Sequence, residues 1–255
     1  MSSLSVIVIT KNEEGNIREC LESVRWASEV VVVDGGSVDS TVEIATSMGA
    51  KVHIRPWEGY GAAKNFALSQ CTGTWVLWLD ADERVTDSLA GEMQSIVGKG
   101  VGDFAGYEVA RRAYFLNRWI KHCGWYPGYV LRLFKRETGR FTEDRVHERL
   151  EVRGIVGHLQ SDLLHYTDPN LHHYFEKFNR YTSLGAEEMV DKGKNFGIAD
   201  LIFRPIWVFI RMYMIRRGFL DGIQGFILCV LSAAYVFTKY AKLWELSLYG
   251  KRSNP

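Results

Sequence analysis

The stretch Trp75-Val76-Leu77-Trp78-Leu79-Asp80-Ala81-Asp82-Glu83 decides the fold. An apolar run of strand length ends abruptly in two carboxylates, Asp80 and Asp82. An unbroken run of this kind suits a strand buried on both faces of a parallel sheet. Side chains alternate along an extended chain, so the two aspartates share one side if strand geometry persists through them. Paired carboxylates at a strand's carboxyl end suit a hard divalent cation. Mg²⁺ is typically held by one or two carboxylates, with phosphates and water in its other positions. Taken alone, a D-x-D pair is equally a solvated turn after a core strand.

Working outward, Leu4–Thr10 is rich in β-branched residues and reads as a first buried strand. A polar break, Lys11-Asn12-Glu13-Glu14-Gly15, precedes Ile17, Cys20, Leu21 and Val24, which recur at helical spacing. Val30–Val33 is a second apolar run, ending at Asp34-Gly35-Gly36-Ser37. Asp39 or Ser40 can cap the next helix, with apolar positions Val42, Ile44, Ala45 and Met48. Lys51–Ile54 is a short third strand, and Gly59-Tyr60-Gly61 opens a helix through Ala62–Leu68. Strand and helix thus alternate up to the strand that carries the aspartates. That order predicts an α/β domain with a mostly parallel sheet. Ligands of such sheets bind outside the carboxyl ends of the strands. Polar residues stand at three of those ends, Thr10–Glu13, Asp34–Asp39 and Asp80–Glu83, and structure alone does not require acids at all three. No G-x-G-x-x-G and no P-loop is present, which argues against an NAD enzyme or a P-loop kinase.

The chain has 255 residues, 47% hydrophobic and 24% charged, enough for one large domain or two small ones. Its formal charge of +1 gives no sign of a nucleic-acid partner, but the distribution is uneven. From residue 201 onward eight Lys/Arg stand against two Asp/Glu, a net of +6, which leaves −5 for the part before. A basic, aromatic, apolar tail on a neutral protein suggests a membrane surface. Four scattered cysteines with no C-x-x-C pair point to a reducing compartment. The N-terminus shows neither a charged n-region nor a small-residue cleavage site, so no signal peptide is expected.

Beyond residue 86 the regularity loosens. Gly106–Ala110 and Tyr129–Phe134 read as strands added antiparallel. Residues 111–127 between them are basic and aromatic, with Gly124 and Pro127. This segment is either an ordinary packed loop or an acceptor-binding segment, in which aromatic faces stack on sugar rings and Arg/Lys pair with phosphate. Phe141–Leu150 is a second cluster of titratable groups, containing Glu143, Asp144, His147 and Glu148. By itself it reads as a charged surface strand or turn. The remaining histidines lack metal-motif spacing, and His165 is the one expected nearest the site. Leu171–Lys192 reads as an amphipathic helix. In Phe203–Leu248, arginines interleave with large apolar residues. The charge-free run Phe226–Phe237 is shorter than the roughly 20 residues of a spanning helix. One or two amphipathic helices lying in a membrane interface are expected, with a buried helical pair or a re-entrant segment as alternatives.

The chain resembles glycosyltransferase family 2, the inverting enzymes of GT-A fold. The matching motifs are Val8-Ile9-Thr10-Lys11-Asn12-Glu13-Glu14, Val32-Val33-Asp34-Gly35-Gly36-Ser37-Val38-Asp39-Ser40-Thr41, Gly61-Ala62-Ala63-Lys64-Asn65-Phe66-Ala67-Leu68 and Trp78-Leu79-Asp80-Ala81-Asp82-Glu83. Arg145-Val146-His147-Glu148-Arg149-Leu150 and the tail stretch Gly218–Gly225 are similar to those of bacterial lipopolysaccharide inner-core β-glucosyltransferases that act on heptose. The resemblance implies a GT-A catalytic domain over 1–165 and a helical, membrane-associating extension over 166–255. It places Thr10, Lys11 and Glu13 in the nucleotide-contacting first loop, where Ile9 and Lys11 replace a frequent proline and tyrosine. It makes Asp34 the acid that recognises the base, with Asp39 in the turn that follows. It sets Lys64 near the diphosphate, and Asp80 and Asp82 in the metal-binding motif, with Asp82 the direct ligand of Mg²⁺ or Mn²⁺. Glu148 is the first candidate for general base and Asp144 the second. The implied partners are a nucleotide diphosphate sugar, UDP-glucose in this subgroup, and a lipid-linked oligosaccharide acceptor. The implied location is the cytoplasmic face of the bacterial inner membrane, held peripherally. A protein or polyprenyl-phosphate acceptor stays open. So do a nucleotidyltransferase, which usually carries an early Gly-rich basic loop not seen here, and a non-catalytic nucleotide-sugar-binding module.

Overall fold

The computed structural model of the chain describes residues 3–99, 103–142 and 149–250. Glu148 and Asp144, the two candidates for general base, lie outside the described residues. The elements run β1 (Leu4–Thr10), α1 (Ile17–Glu22), β2 (Glu29–Asp34), α2 (Thr41–Ser47), β3 (Lys51–Ile54), α3 (Tyr60–Ser69), β4 (Trp75–Asp80), β5 (Glu83–Val85) and α4 (Asp87–Gly98). After these come β6 (Phe104–Phe115), β7 (Arg118–Trp119), β8 (Gly128–Lys135), β9 (Gly139–Phe141), β10 (Leu150–Val152), β11 (Ile155–Asp168), α5 (Leu171–Asp191) and α6 (Ile198–Ile210). A π-helical turn (Arg211–Ile215) and a 3-10 turn (Gly218–Asp221) lead into α7 (Gly222–Gly250).

The main sheet has the order β3-β2-β1-β4-β8-β6-β11-β5, with β7 paired to β6. The first four strands in that order are parallel, as the strand–helix alternation predicts. β8 joins β4 antiparallel and β6 joins β8 antiparallel, as expected of those two segments. The apolar runs of β1, β2 and β4 are continuous because both faces are covered. Val6, Val8, Val32, Leu77 and Leu79 pack into one cluster with Ile17, Cys20 and Leu21 of α1. Their neighbours Ile7, Val31, Val33 and Val76 pack into the other with Ala67 of α3. The register fixes where the site can be. Thr10 pairs with Asp34 and Ile9 with Asp80, so the three polar residues end their strands within one residue of a common level. β2 and β4 flank β1, which sets their backbones about 10 Å apart.

The chain forms two compact units, Met1–Arg112 with Gly128–His165, and Ala113–Pro127 with Tyr166–Pro255. The second unit therefore takes in residues 113–127 besides the C-terminal helices. Within it, α5 and α7 share the cluster of Ala186, Tyr240 and Leu243. α6 has no fully buried residue, and Ile202, Phe203, Ile206, Trp207 and Ile210 all stand exposed, Phe203 at 67%. Among the described residues one helix, over Gly218–Leu248, is long and apolar enough to cross a membrane by length and composition. The charge-free run Phe226–Phe237 underestimates it, because Lys239 and Lys242 do not end the helix. Lys242 Nζ donates to Asn179 and Thr182 of α5 and stays inside the helical packing.

Candidate active site

The first two strand ends are stitched together by their loops. Asn12 N–H donates to Ser37 Oγ at 2.7 Å, and Val38 N–H returns a bond to Asn12 Oδ1 at 2.9 Å. Glu13 N–H donates to Thr41 Oγ1, Glu14 N–H to Asp39 Oδ2, and Ser40 N–H to Glu14 Oε2. Burial by itself would raise the Asp39 carboxyl, but the bonds from the Thr41 hydroxyl and backbone and from Glu14 hold it below the usual carboxylate range. Glu13 accepts from Asn16 Nδ2 at the start of α1. Lys11 is exposed at the loop surface.

Asp34 is fully buried, and its carboxylate is already engaged. Oδ1 accepts from Gly36 and Ser37 N–H at 2.9 and 2.7 Å, and the Ser37 hydroxyl donates to Oδ2. The acid thus shapes the turn that opens the second loop. A carboxylate oxygen has more than one lone pair, so capacity for a further donor remains. Gly35 is required by a close approach, since a Cβ there would stand 2.9 Å from the Trp57 ring. Trp57, 42% exposed, covers this turn and lines a cleft with Asp34, Gly35, Arg55 and Ala62. Sequence reading gave Trp57 no role. The signal was a lone tryptophan in the polar link between β3 and α3. Thr10 is buried, and its Oγ1 has no hydrogen-bond partner among the described residues. An unsatisfied buried hydroxyl costs about 1–3 kcal/mol. A ligand oxygen or amide at the end of β1 would relieve that cost.

β4 stops at Asp80, and a turn through residues 81–82 separates it from β5. Strand geometry therefore does not carry through both aspartates, and each takes its own partner. Arg132 Nη2 of β8 donates to Asp80 Oδ2 and to Glu83 Oε1, both at 2.7 Å. Glu83 Oε2 also accepts from the Asp80 N–H at 3.0 Å. Burial opposes the charge on both acids. For Asp80 the Arg132 guanidinium, then Lys64, His165 and Arg111, outweigh it and hold the carboxyl low. For Glu83, buried completely, desolvation joined by the neighbouring Asp80 charge wins over Arg132 and pushes the carboxyl up. Asp80 thus keeps its charge, and its side chain is 41% exposed at the strand end.

Lys64 is buried with its ammonium 3.9 Å from the Trp78 ring centroid, and Arg132 lies on the same ring at 3.4 Å. Asp82 faces His165 of β11, with Nε2 3.4 Å from Oδ2. The histidine singled out from sequence does reach the acidic motif.

Arg132 was missed, and its signal was an arginine in the apolar strand Val130-Leu131-Arg132-Leu133-Phe134. A charge there is seldom fully buried unless paired. Glu83 stood in the deciding stretch without a role.

Among the described residues no three His, Cys, Asp or Glu side chains gather to hold an ion by themselves. Asp82 and His165 nevertheless form a carboxylate–imidazole pair at the edge of the site. That donor set fits a divalent ion that takes its remaining positions from water and phosphate.

An α/β sheet that gathers acids, an unsatisfied hydroxyl and cations at the carboxyl ends of parallel strands has the ligand site of an α/β enzyme at that edge. The glycosyl transferase family 2 model matches residues 5–161. The chain is 34% identical over 263 residues to the lipopolysaccharide core biosynthesis glycosyltransferase LpsC of Rhizobium meliloti, covering 98% of this chain and 95% of LpsC. It is 33% identical over 259 residues to an uncharacterized glycosyltransferase of Rickettsia typhi, covering 97% of this chain and 89% of that one. Among solved structures, Staphylococcus aureus TarS 1-349 in complex with UDP-GlcNAc aligns with a TM-score of 0.48 and 15% identity over 94% of this chain and 92% of that one. The chain belongs to glycosyl transferase family 2 and is a glycosyltransferase. Its fold is the α/β, GT-A type that the resemblance implies.

Proposed function

We propose that the protein transfers glucose from UDP-glucose, with inversion, to a heptose of the lipopolysaccharide core at the cytoplasmic face of the inner membrane. The observation that carries the donor half is that Thr10, Asp34 and Asp80 end three adjacent strands within one residue of a common level at the carboxyl edge. Similarity to LpsC over nearly the whole chain supports the acceptor half. The exposed apolar face of α6 supports the location.

The base of the donor lies in the cleft beside Asp34 and stacks on Trp57, in place of the tyrosine that Lys11 replaces. Thr10 and the loop Lys11–Glu13 border the ribose and diphosphate. Asp82 and His165 would hold the divalent ion, which when bound supplies Lewis-acid stabilisation of the charge that develops on the departing diphosphate. Lys64 adds fixed positive charge near Asp80, and Arg132 keeps Asp80 ionised and fixed in place. The acceptor hydroxyl attacks the anomeric carbon from the face opposite the diphosphate. Its proton passes to a carboxylate within about 3 Å, Glu148 first and Asp144 second. One displacement inverts the anomeric centre, and no covalent sugar–enzyme intermediate forms.

The test incubates the full-length protein with a panel of UDP-sugars and truncated lipopolysaccharide cores presented in vesicles, then weighs the products. A mass gain of one hexose from UDP-glucose on a heptose-ended core supports the proposal. Transfer only to a protein or a polyprenyl phosphate overturns the acceptor. A Glu148→Gln variant that transfers at near wild-type rate moves the base to Asp144.

A further inference from the structure

The second unit holds a cavity that the donor site does not use. It measures about 410 Å³, in the range that encloses a small ligand. One wall is Trp125, Tyr126 and Pro127, and the other is Arg211, Met212 and Arg216. Among the described residues no acidic side chain lines it. Neither guanidinium has a carboxylate partner among the described residues.

The walls are built by the chain itself. The buried carboxylate of Asp221 accepts from Lys121 N–H at 3.2 Å, His122 N–H at 2.8 Å and the His122 ring Nδ1 at 2.9 Å. Cys123 N–H donates to Arg216 C=O at 3.1 Å and ties the two walls directly. A Cβ on Gly218 would stand 2.7 Å from Cys123 Sγ, and one on Gly225 would stand 2.2 Å from Gly218 C=O. The stretch Gly218–Gly225, prominent in the sequence, therefore acts as a clamp: its glycines allow the approach and its aspartate pins the opposite segment. A pocket shaped this firmly around two arginines and two aromatic rings has a definite chemistry. Guanidinium forks pair bidentately with phosphate or carboxylate, and aromatic faces pack on sugar rings.

The chain between the arginines adds the second feature. Met214 and Ile215 are each 58% exposed, and Phe219 and Leu220 follow, also exposed. Apolar side chains in water beside an anion-binding pocket suit a ligand whose lipid part lies in a bilayer and whose charged sugar stands above it.

We propose that this cavity binds the anionic sugar headgroup, phosphorylated or carboxylated, of a membrane-resident glycolipid acceptor. The inference deepens the proposed function and rests on its lipid-linked acceptor. It adds that the acceptor is recognised by its charge, in a unit other than the one that holds the donor.

The test is equilibrium binding of the full-length protein to two probes. The first is the water-soluble acidic core oligosaccharide released from a truncated lipopolysaccharide, against a neutral oligosaccharide of matched length. The second is phosphatidylcholine vesicles containing phosphatidylglycerol. The acidic oligosaccharide should bind at least about tenfold tighter than the neutral one, the worth of one or two charge-assisted bonds. Arg211→Gln with Arg216→Gln should lose that tenfold, and Arg211→Lys with Arg216→Lys should recover part of it. Arg204→Gln with Arg217→Gln, the same change in net charge on exposed arginines outside the cavity, should stay within about twofold. If the outer pair weakens the oligosaccharide as much as the cavity pair, or the cavity pair weakens only the vesicles, the site reads bulk phospholipid charge and the proposal falls. It falls too if the wild type binds no acidic oligosaccharide. Saturable binding lost in the cavity variant, without sugar transfer to that oligosaccharide, upholds the cavity and overturns the core-acceptor reading instead.

Discussion

The two ends of the parallel sheet carry similar residues to opposite purposes. At the amino end, Glu29 of β2 accepts from Lys51 Nζ at 2.7 Å, from the Ser5 hydroxyl, and from both the backbone and the hydroxyl of Thr72. Burial by itself would raise this carboxyl, but those donors hold it down at about 2. It pins β1, β2, β3 and the entry to β4 together. At the carboxyl end, Thr10 Oγ1 has no partner among the described residues, Asp80 stands partly open, and Glu83 is buried with its carboxyl pushed up. An acid whose two oxygens are both held by its neighbours is a staple. An end with open capacity, mismatched acids and a shared arginine is arranged for a ligand.

Substitutions can break or sharpen that contrast. Asp82→Ala should lower turnover by about 10³-fold or more, the scale of losing the support of leaving-group charge. Its melting temperature should move by less than about 2 °C, and a large drop in melting temperature would make Asp82 another staple. Arg132→Met should cost about 3–5 kcal/mol in denaturant unfolding, because Asp80 and Glu83 lose their common partner. Adding Glu83→Gln should restore part of it. If it does not, the arginine is not balancing those acids.

Glu29→Gln should cost about 2 kcal/mol at pH 7, discounted for a Lys51 side chain that is 57% exposed, with turnover unchanged. The folded carboxyl titrates lower than the unfolded one, whose ordinary value is 4.5. The wild-type advantage is therefore full above about pH 4.5 and fades as pH falls towards 2. Unfolding curves of the two proteins should converge in that window, and a constant gap would remove ionisation from the account. Trp57→Ala should raise the donor KM about tenfold with kcat unchanged, as expected for one lost base–aromatic stack. An unchanged KM would leave Trp57 as a cover for Gly35.

The legible part of the molecule follows from this geometry. β1, β2 and β4 could be read because burial on both faces leaves unbroken apolar runs, and Asp34 and Asp80 because they end those runs. The stitched loops at 11–14 and 37–41 were legible as polar breaks, though not as partners. Arg132 and His165 were not placed in the site's chemistry, because β8 and β11 reach it through a strand order that chain order does not give. His165 was picked out only as the histidine nearest to it. The membership of residues 113–127 in the second unit was hidden for the same reason. Its anchor, Asp221, lies 99 positions from His122. The length of α7 was underread because lysines interrupt an apolar run without interrupting a helix.

The reciprocal bonds between Asn12 and Ser37–Val38, and between Glu13–Glu14 and Asp39–Thr41, make two motifs some 25 residues apart a single mechanical part. Trimming any member loosens its counterpart. Activity lost at Glu14, Ser37 or Thr41 would then measure joinery as well as touch, and a ranking of positions by residual rate would mix the two. Swapping both halves of a joint at once would separate the two meanings.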